Sequence, residues 1–189
     1  MWRLRAKCRR ILIDQPLGAE KVYGSDQMRD EQKTNIRKLE TDDAVLWRSI
    51  RLDALLQEPD QFSAHHADWV DRPLADFADQ LAKSLVWAVI EAGSALAVAS
   101  LTSDLDDTEQ GWVEAVYVRP KARGKGLARA LLTTVETAAR SRGLGQLRLE
   151  VRSSNARARQ LYGGMGFVEV DAIARSCGNR CEITMVKTL

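Results

Sequence analysis

The stretch RGKGLA, residues 123–128, joins an apolar run, WVEAVYV at 112–118, to a helical pattern, LARALLTTVETAARSRG at 127–143. A helix N-terminus leaves backbone N–H groups unpaired and carries partial positive charge, so a turn that lets the chain approach a ligand there is an anion site. Gly124 and Gly126 lack the Cβ atoms that would obstruct that approach. Arg119, Lys121, Arg123, Lys125 and Arg129 surround them, and the simplest anion is a phosphate. The P-loop pattern needs Ser or Thr after its Gly-Lys, whereas Lys125 is followed by Gly126; the dinucleotide pattern G-x-G-x-x-G fails because position 129 is Arg. Carboxylates stand nearby in sequence. Strand alternation puts Trp112, Glu114, Val116 and Val118 on one face, and Glu150 in LRLEV on the polar face opposite Leu147, Leu149 and Val151. His65 and His66 are adjacent and point to different sides of any regular element, and of three cysteines only Cys177 and Cys181 lie close together. Neither group makes a metal site or a disulfide framework, so no metal is expected.

The elements that must hold these groups follow from periodicity. NIRKLE at 35–40 alternates as a strand. In TDDAVLWRSIRLDALLQ, Ala44, Leu46, Trp47, Ile50, Leu52, Leu55 and Leu56 make a helical stripe, with Thr41 or Asp42 as N-cap and EPD at 58–60 as the stop. A second helix follows Pro73. A hairpin over 85–103 turns at Ala92-Gly93-Ser94. Then come strand 112–118, helix 124–142, strand 146–151, helix 155–162 and two closing strands, 167–175 and 180–187, joined through Gly178-Asn179. Strands alternating with helices require a parallel crossover, while the hairpins require antiparallel pairs, so the sheet is mixed.

About thirty residues past the glycine turn the chain reads LEVRSSNARARQLYGGMGF. With that segment in place, residues 112–168 resemble the acetyl-CoA-binding core of the GNAT superfamily of N-acetyltransferases, in its bacterial small-molecule form. Arg123, Gly126 and Ala128 match the family's turn; Asn155, Tyr162, Gly166 and Phe167 match its later signature. The likeness extends over roughly 34–188. It implies an α/β fold: a mixed, mostly antiparallel sheet of about seven strands with splayed central strands, flanked by helices. It further implies that backbone N–H groups of Arg123, Gly124, Lys125, Gly126, Leu127 and Ala128 hold the pyrophosphate. Val116, Tyr117 and Val118 would run beside the pantetheine arm, with the Val116 N–H directed at the thioester oxygen. Asn155 would bind the arm from the opposite side, and Lys121 or Lys125 would meet the 3′-phosphate. Tyr162 is implied as general acid, its alternative being a packing role against Phe167. Glu114 is the first candidate base, directly or through water, and Glu150 the second; a purely structural carboxylate is the alternative for Glu114. Phe62, Trp69, Trp87 and Trp112 are candidates to line the acceptor pocket. Ala97 stands where many relatives have Gly, and Gly163-Gly164 would loosen the helix end that carries Tyr162.

The expected reaction is direct attack of a small-molecule primary amine on acetyl-CoA. The alternatives are protein lysine or N-terminal acetylation, or a non-catalytic CoA-binding module. With 189 residues, 45% hydrophobic and 29% charged, the chain suits one core. A net charge of +2 argues against a general nucleic-acid partner. No stretch approaches the roughly 18 apolar residues of a membrane span, and the N-terminus has no signal-peptide core, so a cytoplasmic protein is expected. Residues 1–33 read as an extension, with three alternatives: a non-native leader, an over-extended translation start before Met28, or a basic arm for a partner; residues 34–189 read as a single domain. Exposed sheet edges would admit a homodimer. The acceptor pocket falls on 57–84 and 170–181, where motif content is lowest.

Overall fold

The structure is a computed structural model that describes residues 35–103, 109–170 and 182–189. The expected leader over 1–33, the turn at Gly178-Asn179, and Cys177 and Cys181 lie outside the described residues. In chain order the elements are β1 (Ile36–Lys38), α1 (Ala44–Gln57), α2 (Leu74–Lys83), β2 (Leu85–Glu91), β3 (Ser94–Ser103), β4 (Gln110–Val118), α3 (Leu127–Ser141), β5 (Gln146–Arg152), α4 (Ala156–Gly163), β6 (Val168–Glu169) and β7 (Glu182–Thr188). They build a seven-stranded sheet ordered β1-β2-β3-β4-β5-β7-β6, in which only the β4–β5 pair is parallel. This is the mixed sheet that the periodicity requires, in the mostly antiparallel, seven-stranded form that the resemblance implies. None of the described helices is long and apolar enough to cross a membrane. The outer strands β1 and β6 have three and two residues, so the described edges on which pairing with a second copy was expected are short.

Both faces of the sheet are covered, which is why β2 and β3 read as nearly continuous apolar runs. Trp87, Val89, Ala97 and Leu101 pack with Leu131 and Val135 of α3, while Val86, Ala88 and Val98 pack with Ile50 of α1 and Phe77 of α2. Trp87 is therefore core on the α3 side, 8% exposed, and not the pocket wall expected of it. The β2–β3 turn is Ala92-Gly93, both at positive φ (47° and 75°), as a two-residue type I′ hairpin demands.

α1 buries Ala44, Trp47, Ile50, Ala54 and Leu55; Leu56, placed on that stripe from the sequence, is 60% exposed. Its entry is also corrected. Neither Thr41 nor Asp42 is the cap: Glu40 and Asp43 form a capping box around a 3-10 turn, Thr41–Asp43. Arg37 donates from both terminal nitrogens to Asp43, at 2.6 and 2.7 Å, and this pair holds the Asp43 carboxyl below its ordinary range.

Candidate active site

β4 and β5 pair only over Gln110–Trp112 and Gln146–Arg148; beyond that they part, and β5 continues its ladder with β7. The cause lies in β4. Its register against β3 passes from Ser100↔Glu114 to Val98↔Tyr117, so Ala115 and Val116 together oppose Ala99, and Ala115 has φ 50°. That is a β-bulge, which bends a strand and increases its local twist. It also overturns the alternation read from the sequence. Glu114 and Trp112 lie across from Ser100 and Thr102 on the α1/α2 side, whereas Val116 and Val118 pack against the α3-side core. Glu114 does not share a face with Val116 and Val118, because the extra residue shifts the side-chain period by one.

The parted strands enclose a cleft of about 700 Å³, lined among others by Val116, Tyr117, Val118, Asn155 and Tyr162, and by the turn at Arg123, Gly124, Gly126, Leu127 and Ala128. Its size is that of a cofactor site. α3 starts at Leu127, three residues later than expected, with Gly126 as its N-cap. Gly124 and Gly126 have φ 82° and 75°, and a Cβ on either would meet nothing within 4 Å. The protein itself leaves that space open above the first N–H groups of α3, as a diphosphate cradle requires. Not all cations of the turn face that space. Arg123 donates to the Val118 carbonyl at 3.0 Å and to Glu58 at 2.6 Å. Arg119 reaches Ser49 at 3.2 Å and lies 3.6 Å from Asp53. These two arginines tie the turn to α1. Lys121 and Lys125 are exposed and are not among the cleft's lining residues, so they stand at its rim, whereas Arg129 lines it.

A left-handed φ costs a residue with a Cβ about 1–2 kcal/mol, more if β-branched. That strain falls on free and bound protein alike, but a side chain at 126 would also fill the open space over the amides, so Gly126→Val is expected to weaken CoA binding at least about tenfold by calorimetry. Gly143 supplies the control, since it has φ 76° and open space around its Cβ position at the other end of α3. Gly143→Val carries a comparable backbone strain and should leave CoA affinity unchanged; equal losses in both variants would contradict the cradle.

Across the cleft, Asn155 caps α4, its Oδ1 accepting from the Ala158 N–H at 3.0 Å. Its Nδ2 donates to Gln61 at 2.8 Å, a residue that the sequence reading passed over. Tyr162 is 7% exposed, lines the cleft, and meets Phe167 edge-on at 5.9 Å, so the packing role and the cleft position coexist. The helix end behind it is held: the Tyr162 carbonyl accepts from Met165 and Phe167 at 2.9 and 3.1 Å, which offsets the loosening expected of Gly163-Gly164. Burial pushes the Tyr162 phenol up to about 12. Tyr117 turns its side chain to α1, where its hydroxyl donates to Asp53 at 3.0 Å; only its main chain suits the cleft.

A second cavity, about 350 Å³, shares Gln61, Phe62, Val113, Glu114, Ala115 and Glu150 with the first, and adds Trp47, Arg51, Trp112 and Glu182. Of the aromatic residues expected there, Phe62 and Trp112 line it, and Trp69 instead packs edge-on against Phe77 at 5.6 Å. Glu114 accepts from Thr102 at 2.9 Å. Glu150 is an exposed residue of the cavity wall, and its pKa is raised, first by partial desolvation there and then by Glu182 and Glu114, with Arg152, itself paired with Glu182 at 3.3 Å, opposing. Ala97, on the buried α3 side, lines neither cavity among the described residues. No group of three or more His, Cys, Asp or Glu suited to a metal ion occurs among the described residues.

The Acetyltransferase (GNAT) family matches residues 47–167. The chain belongs to this family. Among curated GNAT relatives, a mycothiol acetyltransferase of Beutenbergia cavernae is 32% identical over 124 residues, 66% of this chain and 41% of that protein. This chain spans less than half the length of the curated relatives it matches. Among solved structures, the PaiA N-acetyltransferase of Thermoplasma acidophilum in complex with coenzyme A superposes with TM-score 0.66 at 17% identity, over 82% of this chain and 98% of that one; the likeness is one of fold. The ribosomal-protein-S18-alanine N-acetyltransferase of Escherichia coli superposes with TM-score 0.59 at 26% identity, over 82% and 92%.

Proposed function

We propose that this protein transfers the acetyl group of acetyl-CoA to a primary amine of a small molecule. The observation that carries this reading is the parting of β4 and β5 in front of a glycine turn, with Tyr162 on one wall and Glu114 and Glu150 where the cleft meets the second cavity. The open space over Gly124 and Gly126 suits the diphosphate, and the bulge at Ala115 and Val116 leaves main chain free of the β3 register beside the pantetheine path. When bound there, acetyl-CoA supplies an activated acyl carbon. The residues of this chain then have proton work to do. An ammonium must lose a proton before it can attack, and the departing sulfur must gain one. Glu150 receives the first, and Tyr162 offers its Oη–H to the second as the N–C bond forms and the C–S bond breaks. The raised pKa of Glu150 suits it to the base role, while Glu114 is already engaged by Thr102.

The second cavity, about 350 Å³ with three glutamates on its wall, suits a small cationic acceptor. The test is a panel of polyamines, aminoglycosides, amino acids and peptides, followed by release of free thiol from acetyl-CoA. Turnover with small amines is expected. Turnover confined to peptides or proteins would move the reading to protein acetylation, and CoA binding with no turnover on any amine would reduce the protein to a binding module.

A further inference from the structure

The second cavity holds a charge that the proton chemistry does not use. In α1 the buried stripe runs through Ala44, Trp47 and Ala54, and at helical spacing Arg51 falls in the middle of it. Its guanidinium lies 6.0, 5.5 and 5.8 Å from the ring centres of Trp47, Phe62 and Trp69. Rings stabilise a cation through their faces but accept no strong hydrogen bond. The Arg51 Nε is buried with no hydrogen-bond partner, and among the described residues the group's contacts are those rings and the field of Glu114. Burial lowers its pKa from the ordinary value, yet an arginine at such a site stays charged.

Resting on the proposed acetyl transfer, we infer that the acceptor is an amine that also carries a carboxylate, with Arg51 as the residue that selects it. The cavity is polarised for such a molecule. Arg51 enters from α1, while Glu114 of β4, Glu150 of β5 and Glu182 of β7 stand on the sheet side next to the cleft. The ammonium end belongs at the glutamates, where the acyl carbon arrives. The carboxylate end belongs at the guanidinium, whose forked N–H donors match its two oxygens. Glu182 is paired with Arg152 at 3.3 Å, which leaves Arg51 facing Glu114 and Glu150 across the cavity; that balance suits a singly charged anion better than a doubly charged phosphate.

The experiment compares straight-chain ω-amino acids from β-alanine to 6-aminohexanoate and the common L-amino acids, each beside its carboxamide. Binding is read by calorimetry on CoA-saturated protein, and kcat and KM by thiol release. At least one acid is expected to bind and to show kcat/KM about tenfold or more above its carboxamide, the difference lying in KM. Arg51→Gln should bring that ratio close to one while CoA affinity stays within about threefold, and Arg51→Lys should restore part of it. If Arg51→Gln fails to fold, the wild-type ratio and the Arg51→Lys ratio still decide. Carboxamides or plain amines turned over as well as the acids, or no acid bound at all, would overturn the inference and leave acetyl transfer standing or falling on its own panel. Acids that bind through Arg51 without being acetylated would uphold Arg51 as the carboxylate site but overturn their role as acceptors, and the proposed reaction with it.

Discussion

Replacing Tyr162 by Phe is expected to lower kcat by about 10²-fold or more while CoA affinity holds. The substitution removes one oxygen and leaves the ring, so the edge-on contact with Phe167 at 5.9 Å survives and little stability should be lost. The oxygen matters because burial pushes the phenol up to about 12. Tyr162 is therefore a proton donor throughout the usable pH range. A thiol titrates near 8.5, so complete transfer from this phenol to a free thiolate would be uphill. Wherever bound substrate excludes water around the sulfur, the thiol pKa rises too and that gap narrows. In the proposed reaction Tyr162 would act through a hydrogen bond that strengthens as charge develops on sulfur, the interaction that accelerates a reaction rather than merely binding it. Because burial pushes its ionisation up, it should impose no loss of rate in the neutral range. A Phe variant with kcat within threefold of wild type would remove Tyr162 from the chemistry.

What could be read from the sequence is what depends on near neighbours along the chain. The glycine turn was legible because Gly124 and Gly126 adopt a backbone conformation few other residues accept. Asn155 and Tyr162 were legible because both belong to one short helix at fixed spacing. The bulge was not: Ala115 has no mark that distinguishes it from a residue in a regular strand, and a period-two reading assigned Glu114 to the wrong face as a result. Partnerships across the fold were hidden for a related reason. Gln61 meets Asn155 across 94 positions, and Arg123 meets Glu58 across 65, distances over which no local pattern operates.

Arg51 is an intermediate case. Its place between Trp47 and Ala54 on the buried stripe was available from helical spacing, but an arginine there reads as a long side chain reaching for solvent. Only the structure shows three rings around it and an unpaired nitrogen beneath. Glu182 was equally silent. It follows a segment of low motif content, and its significance comes from the β5–β7 ladder that sets it opposite Arg152, two residues beyond Glu150.

That ladder makes the base testable through its neighbour. Glu150→Gln is expected to lower kcat/KM by about 10²-fold or more, the usual contribution of a positioned base. The pH profile carries the sharper prediction. Glu150 must be ionised to accept a proton, so activity should fall as pH drops through its pKa, and that pKa stands above the ordinary carboxylate value because of partial desolvation first and Glu182 second. Glu182→Gln removes a like charge and should move the acid limb to lower pH, with a small effect on the rate above it. Glu150→Gln should abolish that limb and leave only the rise set by deprotonation of the acceptor amine. Glu114→Gln separates the rival assignment: if Glu114 is the base, its loss erases the limb, whereas as a neighbour of Glu150 it only shifts the limb downward. The three profiles together identify the group, since a carboxylate acting through another moves a titration, and the one that takes the proton removes it.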